Sequence, residues 1–317
     1  MAIFSRFTPI ALVTALMVGG LVSNAAEPEI QLPSDTQAMM RINFRSLIDS
    51  PLAKKMGIEK GMDFIQALPG SEILKELGFN PLKDIDSVTF VAPGGNDSEK
   101  SLIILAGKFK ADKLVAKATE EAKNNKEMVK TSKVGEKTIF EILIPDQQLP
   151  MFVMIASNSS IVASTNKDYL IKAIGGKESK LANKDFSSLV EKLDTKLSIS
   201  MVAVSSALPL KSLPEGVRGI VEGIESIGGG FGIDTDVTLA INVYTKDDES
   251  AKKLKETMDQ GMAQALGFLG LMAAQQKELT PALEFLKSIK LSSKGKMLGM
   301  EGKLPGKAIE EALKGLK

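Results

Sequence analysis

The sequence predicts an α+β fold made of two related halves, and three observations carry that prediction. Short apolar runs with strand character come in pairs joined by turn residues, the pattern of antiparallel hairpins. Helical runs stand beside these hairpins instead of alternating singly with strands, so helices gather on one face of antiparallel sheets. The order of elements also occurs twice. Ile85-Asp86-Ser87-Val88 is matched by Ile224-Glu225-Ser226-Ile227, and each opens a strand pair that runs into a helix rich in lysine and acid.

In the first half, Ala38 to Phe44 reads as a strand, and Ser50 before Pro51 supplies a helix cap and a first-turn proline. Ser71-Glu72 opens a helix that Gly78 closes. A strand begins at Ile85, and Leu102 to Phe109 follows as a second. Leu102-Ile103-Ile104-Leu105 is apolar on both faces, as a central covered strand is. Ala111 to Lys123 is helical, and the polar stretch Glu120 to Lys137 reads as a mobile loop. Met151 to Ser164 is a hairpin turning at Asn158, and the helix Lys167 to Ile174 stops at Gly175-Gly176. Asn183 caps a helix from Lys184 to Leu193, and Asp194 to Lys196 connects the halves.

In the second half, Leu197 to Ser205 and the strand from Ile224 parallel the first. In Val237 to Thr245, Leu239, Ile241 and Val243 share one face and Thr238, Ala240 and Asn242 the other. A helix begins at Asp247, with Ala251, Leu254, Met258 and Met262 at helical spacing. Ile289 to Gly302 is a hairpin turning at Lys294-Gly295, and a last helix starts at Pro305. The expected boundaries are 1–25 for a signal peptide, 26–195 for the first α+β half and 196–317 for the second.

Composition excludes much. The chain has no histidine, no cysteine and no tryptophan. The N-terminus has a basic start ending at Arg6, an apolar run from Ile10 to Val22, and Ser23-Asn24-Ala25 with small residues at −3 and −1 of a cut. That is the layout of a secretory signal, and its apolar run of about 13 residues is shorter than a membrane span. The expected location is therefore periplasmic or extracellular. No later run is long and apolar enough for a span, so the mature chain is expected not to cross a membrane. Lys plus Arg number 40 and Asp plus Glu 39, and losing Arg6 with the signal balances them. A balanced chain lacks the basic excess that nucleic acid demands. Without cysteine there are no disulfides and no lipobox residue.

The chemistry-bearing patterns are weak. There is no Gly-x-Ser-x-Gly and no histidine to act as base. Ser164/Lys167, Ser250/Lys253 and Ser293/Lys296 are Ser-x-x-Lys pairs, no more than random placement gives. Zinc, copper and nickel sites lean on His and Cys. Asp84/Asp86, Asp234/Asp236 and Asn96-Asp97-Ser98-Glu99 are the calcium candidates, and none has the spacing of a helix–loop–helix calcium site; turn acids are the simpler reading. Gly228-Gly229-Gly230-Phe231-Gly232 is no phosphate loop, and glycines in a strand point to close approach of a helix or to a bulge. Two tyrosines and no tryptophan argue against sugar processing. The expectation is no catalytic residue, no cofactor and no metal.

Leu32-Pro33-Ser34-Asp35-Thr36, a strand ending Ile42-Asn43, and Asp49-Ser50-Pro51-Leu52 resemble the start of uncharacterised exported bacterial proteins. Gly78-Phe79-Asn80-Pro81-Leu82-Lys83-Asp84-Ile85-Asp86-Ser87-Val88 resembles the same group. The resemblance implies an extracytoplasmic location and a repeated α+β body. It implies no activity, because the matching residues are caps, turns and strand starts.

Gln260 to Gln276 carries no charge. Met262, Leu266, Phe268, Leu269, Leu271 and Met272 recur there between alanines and glycines, and all of these but Leu271 are the candidate contact residues. A helix apolar all round is usually core, and that is the first expectation. The alternative is a movable apolar helix over a lipid-like ligand or a partner surface, for which methionine is well suited; Gly261, Gly267 and Gly270 loosen it. The function this points to is an exported, non-catalytic protein that binds a partner protein or an apolar ligand through those five residues. A structural envelope scaffold without small ligand comes second, and a His-independent hydrolase third.

Overall fold

The computed structural model describes residues 30–57, 81–94, 100–143, 149–174, 180–194, 196–208, 221, 223–276 and 279–314. The signal segment 1–25, the helix expected from Ser71 to Gly78, the Gly175-Gly176 stop and Asn96 to Glu99 lie outside the described residues. The fold is α+β. Its described residues fall into two compact units: those within Met1–Thr36, Ile58–Pro93 and Asp97–Ala182, and those within Gln37–Gly57, Gly94–Asn96 and Asn183–Lys317.

The first unit holds β2 (Ile85–Pro93), β3 (Leu102–Gly107), β4 (Val129–Val134), β5 (Lys137–Ile142), β6 (Met151–Ile155) and β7 (Ser160–Ser164). Their order is β2-β3-β7-β6-β5-β4, antiparallel throughout. Helix α3 (Pro81–Asp84) precedes β2, α4 (Ala111–Asn124) follows β3, and α5 (Lys167–Ile174) follows β7. Strand β3 lies between β2 and β7, and Leu102, Ile103 and Leu105 are buried. Asn158 does more than turn the β6–β7 hairpin: its Oδ1 accepts the Ala111 N–H at 3.1 Å. It thereby satisfies one of the orphan donors of α4, whose own cap residue supplies no side-chain bond.

The loop expected from Glu120 to Lys137 is corrected by this structure. Helix α4 continues to Asn124, and Val129–Val134 forms an edge strand paired with β5, Val134 opposite Lys137. Gly135 makes the turn with φ +57°, a conformation open to glycine at no steric cost.

The second unit holds β1 (Thr36–Ile42), α1 (Phe44–Asp49), α2 (Pro51–Met56), α6 (Lys184–Glu191), β8 (Ile199–Val204), β9 (Ile224–Ile233), β10 (Val237–Thr245), α7 (Asp248–Gln275), α8 (Thr280–Ser288), β11 (Lys290–Lys294), β12 (Met297–Leu304) and α9 (Gly306–Lys314). The strands run β11-β12-β10-β9-β8-β1, again antiparallel. Ser50 Oγ accepts the Ala53 N–H at 3.0 Å, which caps α2 over its first-turn proline. The core cluster is Ile224, Val243, Leu254 and Leu298, so the N-terminal half of α7 packs on the sheet through Leu254 and Met258. β2-β3-β7-β6 in the first unit and β9-β10-β12-β11 in the second have the same neighbours and the same hairpin connections.

In the glycine run of β9, Gly228 lies under Leu189 of α6, where a Cβ would stand 3.6 Å from its methyl, whereas Gly229 and Gly230 are hemmed in by neighbouring strands. Gly229 has φ +135°, and a Cβ there would sit 2.0 Å from the Ala240 carbonyl oxygen on β10. A Cβ on Gly230 would sit 1.9 Å from the Ile199 carbonyl oxygen on β8.

Candidate functional site

Helix α7 is the element on which the expected binding residues stand. It starts well. Asp247 Oδ1 accepts the Ser250 N–H at 2.7 Å, and that bond, followed by one from the Ser250 hydroxyl, holds the Asp247 carboxyl below the usual carboxylate range. Asp248 and Glu249 in the first turn complement the helix dipole. Glu249 pairs with Lys253 at 3.0 Å and Lys255 with Asp259 at 2.6 Å.

Twenty-eight residues make a helix about 42 Å long. The nine-residue strand β10 before it reaches only about 30 Å. The N-terminal half packs on the sheet, with Ala251 and Leu254 buried, while the C-terminal half buries only Ala273.

The expectation that Gln260 to Gln276 is core is corrected. Ala273 is its single buried residue. Met262, Leu266, Leu269 and Met272 are half-buried, and Phe268 is 67% exposed. Leu271, named in the segment but not among the five candidate contacts, is 72% exposed. Helical spacing sorts these residues: Met262, Leu266, Leu269 and Ala273 form an inward stripe, while Phe268 and Leu271 turn outward among Gln264, Gly267 and Gln275. Helix α7 is in contact with α8 (Thr280–Ser288), a helix absent from the sequence expectation. No residue of α8 is fully buried; Leu283, Phe285 and Leu286 are half-covered. Phe285 rests near Gly302 of β12, where a Cβ would stand 3.5 Å from its ring.

The five residues named from the sequence thus lie on one helix half: Met262, Leu266 and Leu269 on the inward stripe, Met272 half-buried beside it, and Phe268 outward. Their common property is an uncharged apolar surface that its own unit covers incompletely. Among the described residues no helix is long and apolar enough to cross a membrane.

The second unit also has an open cleft of about 560 Å³ lined by Ser46, Asp49, Lys196, Asp234, Asp236 and Lys303 among others. It contains the Asp234/Asp236 pair weighed as a cation site. Asp236 is committed elsewhere: it pairs with Lys303 Nζ at 2.8 Å and accepts the Gly306 N–H at 3.0 Å. The Lys303 bond, then the Gly306 bond, lowers its pKa. A lowered folded pKa means that this stabilisation is present above the unfolded carboxylate value and is lost as pH falls through the folded one. Asp236→Asn should flatten the acid limb of a stability-against-pH curve; an unchanged limb would show that the pair contributes nothing. Among the described residues no three His, Cys, Asp or Glu side chains are arranged to hold a metal ion.

In two of the serine–lysine pairs one member is engaged by other groups. Ser164 Oγ is buried, donates to the Ser101 carbonyl at 2.6 Å and accepts the Asn166 N–H at 3.1 Å. Lys253 is held by Glu249 and has its pKa raised by that bond, the opposite of what a lysine base needs.

No family model matches this sequence. No curated protein matches it either. A solved structure, crystal form I of TP0453, is similar with a TM-score of 0.43 and 9% sequence identity, over 93% of this chain and 99% of that one. At that distance no residue role or ligand transfers.

Proposed function

We propose that this chain is an exported, non-catalytic protein of two related halves that binds an apolar ligand on the C-terminal half of α7. The observation that carries the reading is the pair Phe268 and Leu271, 67% and 72% exposed on a helix half with no charged residue between Gln260 and Gln276. Large apolar side chains standing outward on an uncharged surface mark a binding site or an aggregation hazard. The half-buried Met262 and Met272 supply adaptable contacts beneath. The relation of the halves rests on the matched strand orders and on Ile85 and Ile224 opening equivalent hairpins. An experimental structure placing those residues at non-equivalent positions of their sheets would remove that support.

Phe268→Ser together with Leu271→Ser tests the site. Both side chains point outward, so the melting temperature should stay within about 2 °C of wild type. Binding of the fluorescent fatty acid dansyl-undecanoate should weaken at least about tenfold, since 1.4 kcal/mol of lost apolar contact is a factor of ten. Unchanged affinity in a well-folded double variant removes the site. A stable complex with another protein that is lost in the same variant, without fatty-acid binding in wild type, would move the reading to a protein partner.

Export is tested separately. Ala25→Leu with Ala26→Leu should leave the precursor uncut, because cleavage requires small residues at that offset. N-terminal sequencing of extracytoplasmic protein that begins at Met1 or Ala2 would contradict a cleaved signal.

A further inference from the structure

The outward face of α7 carries an ordered stripe. Gln264, Phe268, Leu271 and Gln275 follow one another at steps of four, three and four residues, and all four are exposed. Such steps keep residues in one line along a helix, and they are the spacing of a seam where two helices meet. The line is about 16 Å long. It reads alike from either end: amide, large apolar, large apolar, amide. Turned end over end about the point between Leu269 and Gly270, Gln264 falls on Gln275 and Phe268 on Leu271. A two-fold interface demands this property, since residue i must meet j while j meets i. Neither an apolar ligand nor an unrelated helix demands it.

The chemistry of each meeting is complementary as well. A glutamine amide both donates and accepts, so Gln264 and the Gln275 of a second copy satisfy each other. Phe268 and Leu271, 67% and 72% exposed, cover one another. No charge lies between Gln260 and Gln276, and the last one before them, Asp259, is neutralised by Lys255 at 2.6 Å. Two copies therefore meet here without like-charge repulsion. Gly267, one residue from Phe268, is exposed, and a Cβ there would meet nothing within 4 Å. Its own chain gives it no packing reason to be glycine. A helix laid along the stripe does, because the missing side chain lets the two backbones come close.

We infer that two copies of this chain pair antiparallel along this stripe, Gln264 of each against Gln275 of the other and Phe268 against Leu271. A ridge of this length buries well under the roughly 1,600 Å² of a standard interface, so the pair is weak and forms at high protein concentration. It covers the surface on which the apolar ligand is proposed to bind, but it does not rest on that reading, because the exposure and the symmetry hold with or without a ligand.

The test uses the mature protein and its natural lack of cysteine. Sedimentation of wild type from micromolar to near-millimolar concentration should show the average mass rising from that of a monomer toward twice that value. Phe268→Ser/Leu271→Ser leaves the buried side of α7 untouched, so it should keep the wild-type melting temperature and remain a monomer throughout. Register is read by cross-linking. Gln264→Cys and Gln275→Cys, prepared as separate proteins and mixed under mild oxidation, should form the mixed disulfide at least about tenfold faster than either forms one with itself. Like positions stand about 16 Å apart along an antiparallel pair, and a disulfide needs Cα atoms within about 7 Å. Wild type that stays monomeric overturns the pair and leaves the apolar-ligand reading to its own test. Association that survives Phe268→Ser/Leu271→Ser overturns it too, as does disulfide formation fastest between like positions. A dimer with the expected register that binds no dansyl-undecanoate when diluted to monomer upholds the pair and removes the apolar-ligand reading.

Discussion

Gly229→Ala should destabilise the second unit by about 3 kcal/mol or more, near the top of the range for single substitutions. Two costs coincide there. The backbone is at φ +135°, which side chains with a Cβ rarely adopt, and the new Cβ would lie 2.0 Å from the Ala240 carbonyl oxygen. The obstacle is backbone of a paired strand, so relief means breaking the β9–β10 register around Ile241. Urea titration should show the midpoint falling with little change in slope. The control is Gly261→Ala, in a helix with nothing around it, which should be neutral or stabilising by about 0.5–1 kcal/mol. A Gly229→Ala protein with the wild-type midpoint would show that β9 is not packed between β8 and β10 as described.

Leu298→Ala is the other large effect. Leu298 is 0% exposed and stands in the cluster with Ile224, Val243 and Leu254, where α7 meets the sheet. Truncation loses the transfer energy of the removed methyls and leaves a cavity that strands β10 and β12 are too tightly paired to close, about 2–5 kcal/mol in all. The contrast with Phe268 is the informative part. Phe268 is the larger side chain and also lies on a fold element, yet its replacement by serine should leave stability almost unchanged. If Phe268→Ser costs as much as Leu298→Ala, the outer face of α7 is covered, and the proposed site does not exist.

The parts of the fold that were legible in the sequence are those where local chemistry and burial agree. The alternation of Leu239, Ile241 and Val243 with Thr238, Ala240 and Asn242 announces a strand with one covered face, and Leu239 and Val243 are buried. Asp247 caps the long helix as its side chain allows. Strand β4 was illegible because it is an edge: of Val-Lys-Thr-Ser-Lys-Val only Val129 is buried, so no apolar alternation marks it. Lysines on such an edge keep it from pairing with other chains, and they made the segment read as loop. Helix α8 hid for a related reason, since it buries no residue completely.

The candidate site was half legible. The absence of charge from Gln260 to Gln276 pointed to the segment, but it also erased the polar stripe that tells which side of a helix faces solvent. A uniformly apolar helix therefore read as core. Which side is covered is visible only once burial sorts Met262, Leu266, Leu269 and Ala273 from Phe268 and Leu271. Leu271 was named with its neighbours but left out of the contact residues, because sequence alone does not separate it from Leu269, which faces the other way.

The binding claim is tested most directly by photolabelling the mature protein with a diazirine-bearing fatty acid and mapping the adducts by peptide mass spectrometry. Saturable adducts on peptides within residues 262–286, competed by unlabelled fatty acid and reduced in the Phe268→Ser/Leu271→Ser variant, are the predicted result. Adducts confined to the polar cleft around Asp49 and Asp236, or labelling that neither saturates nor is competed, would contradict it.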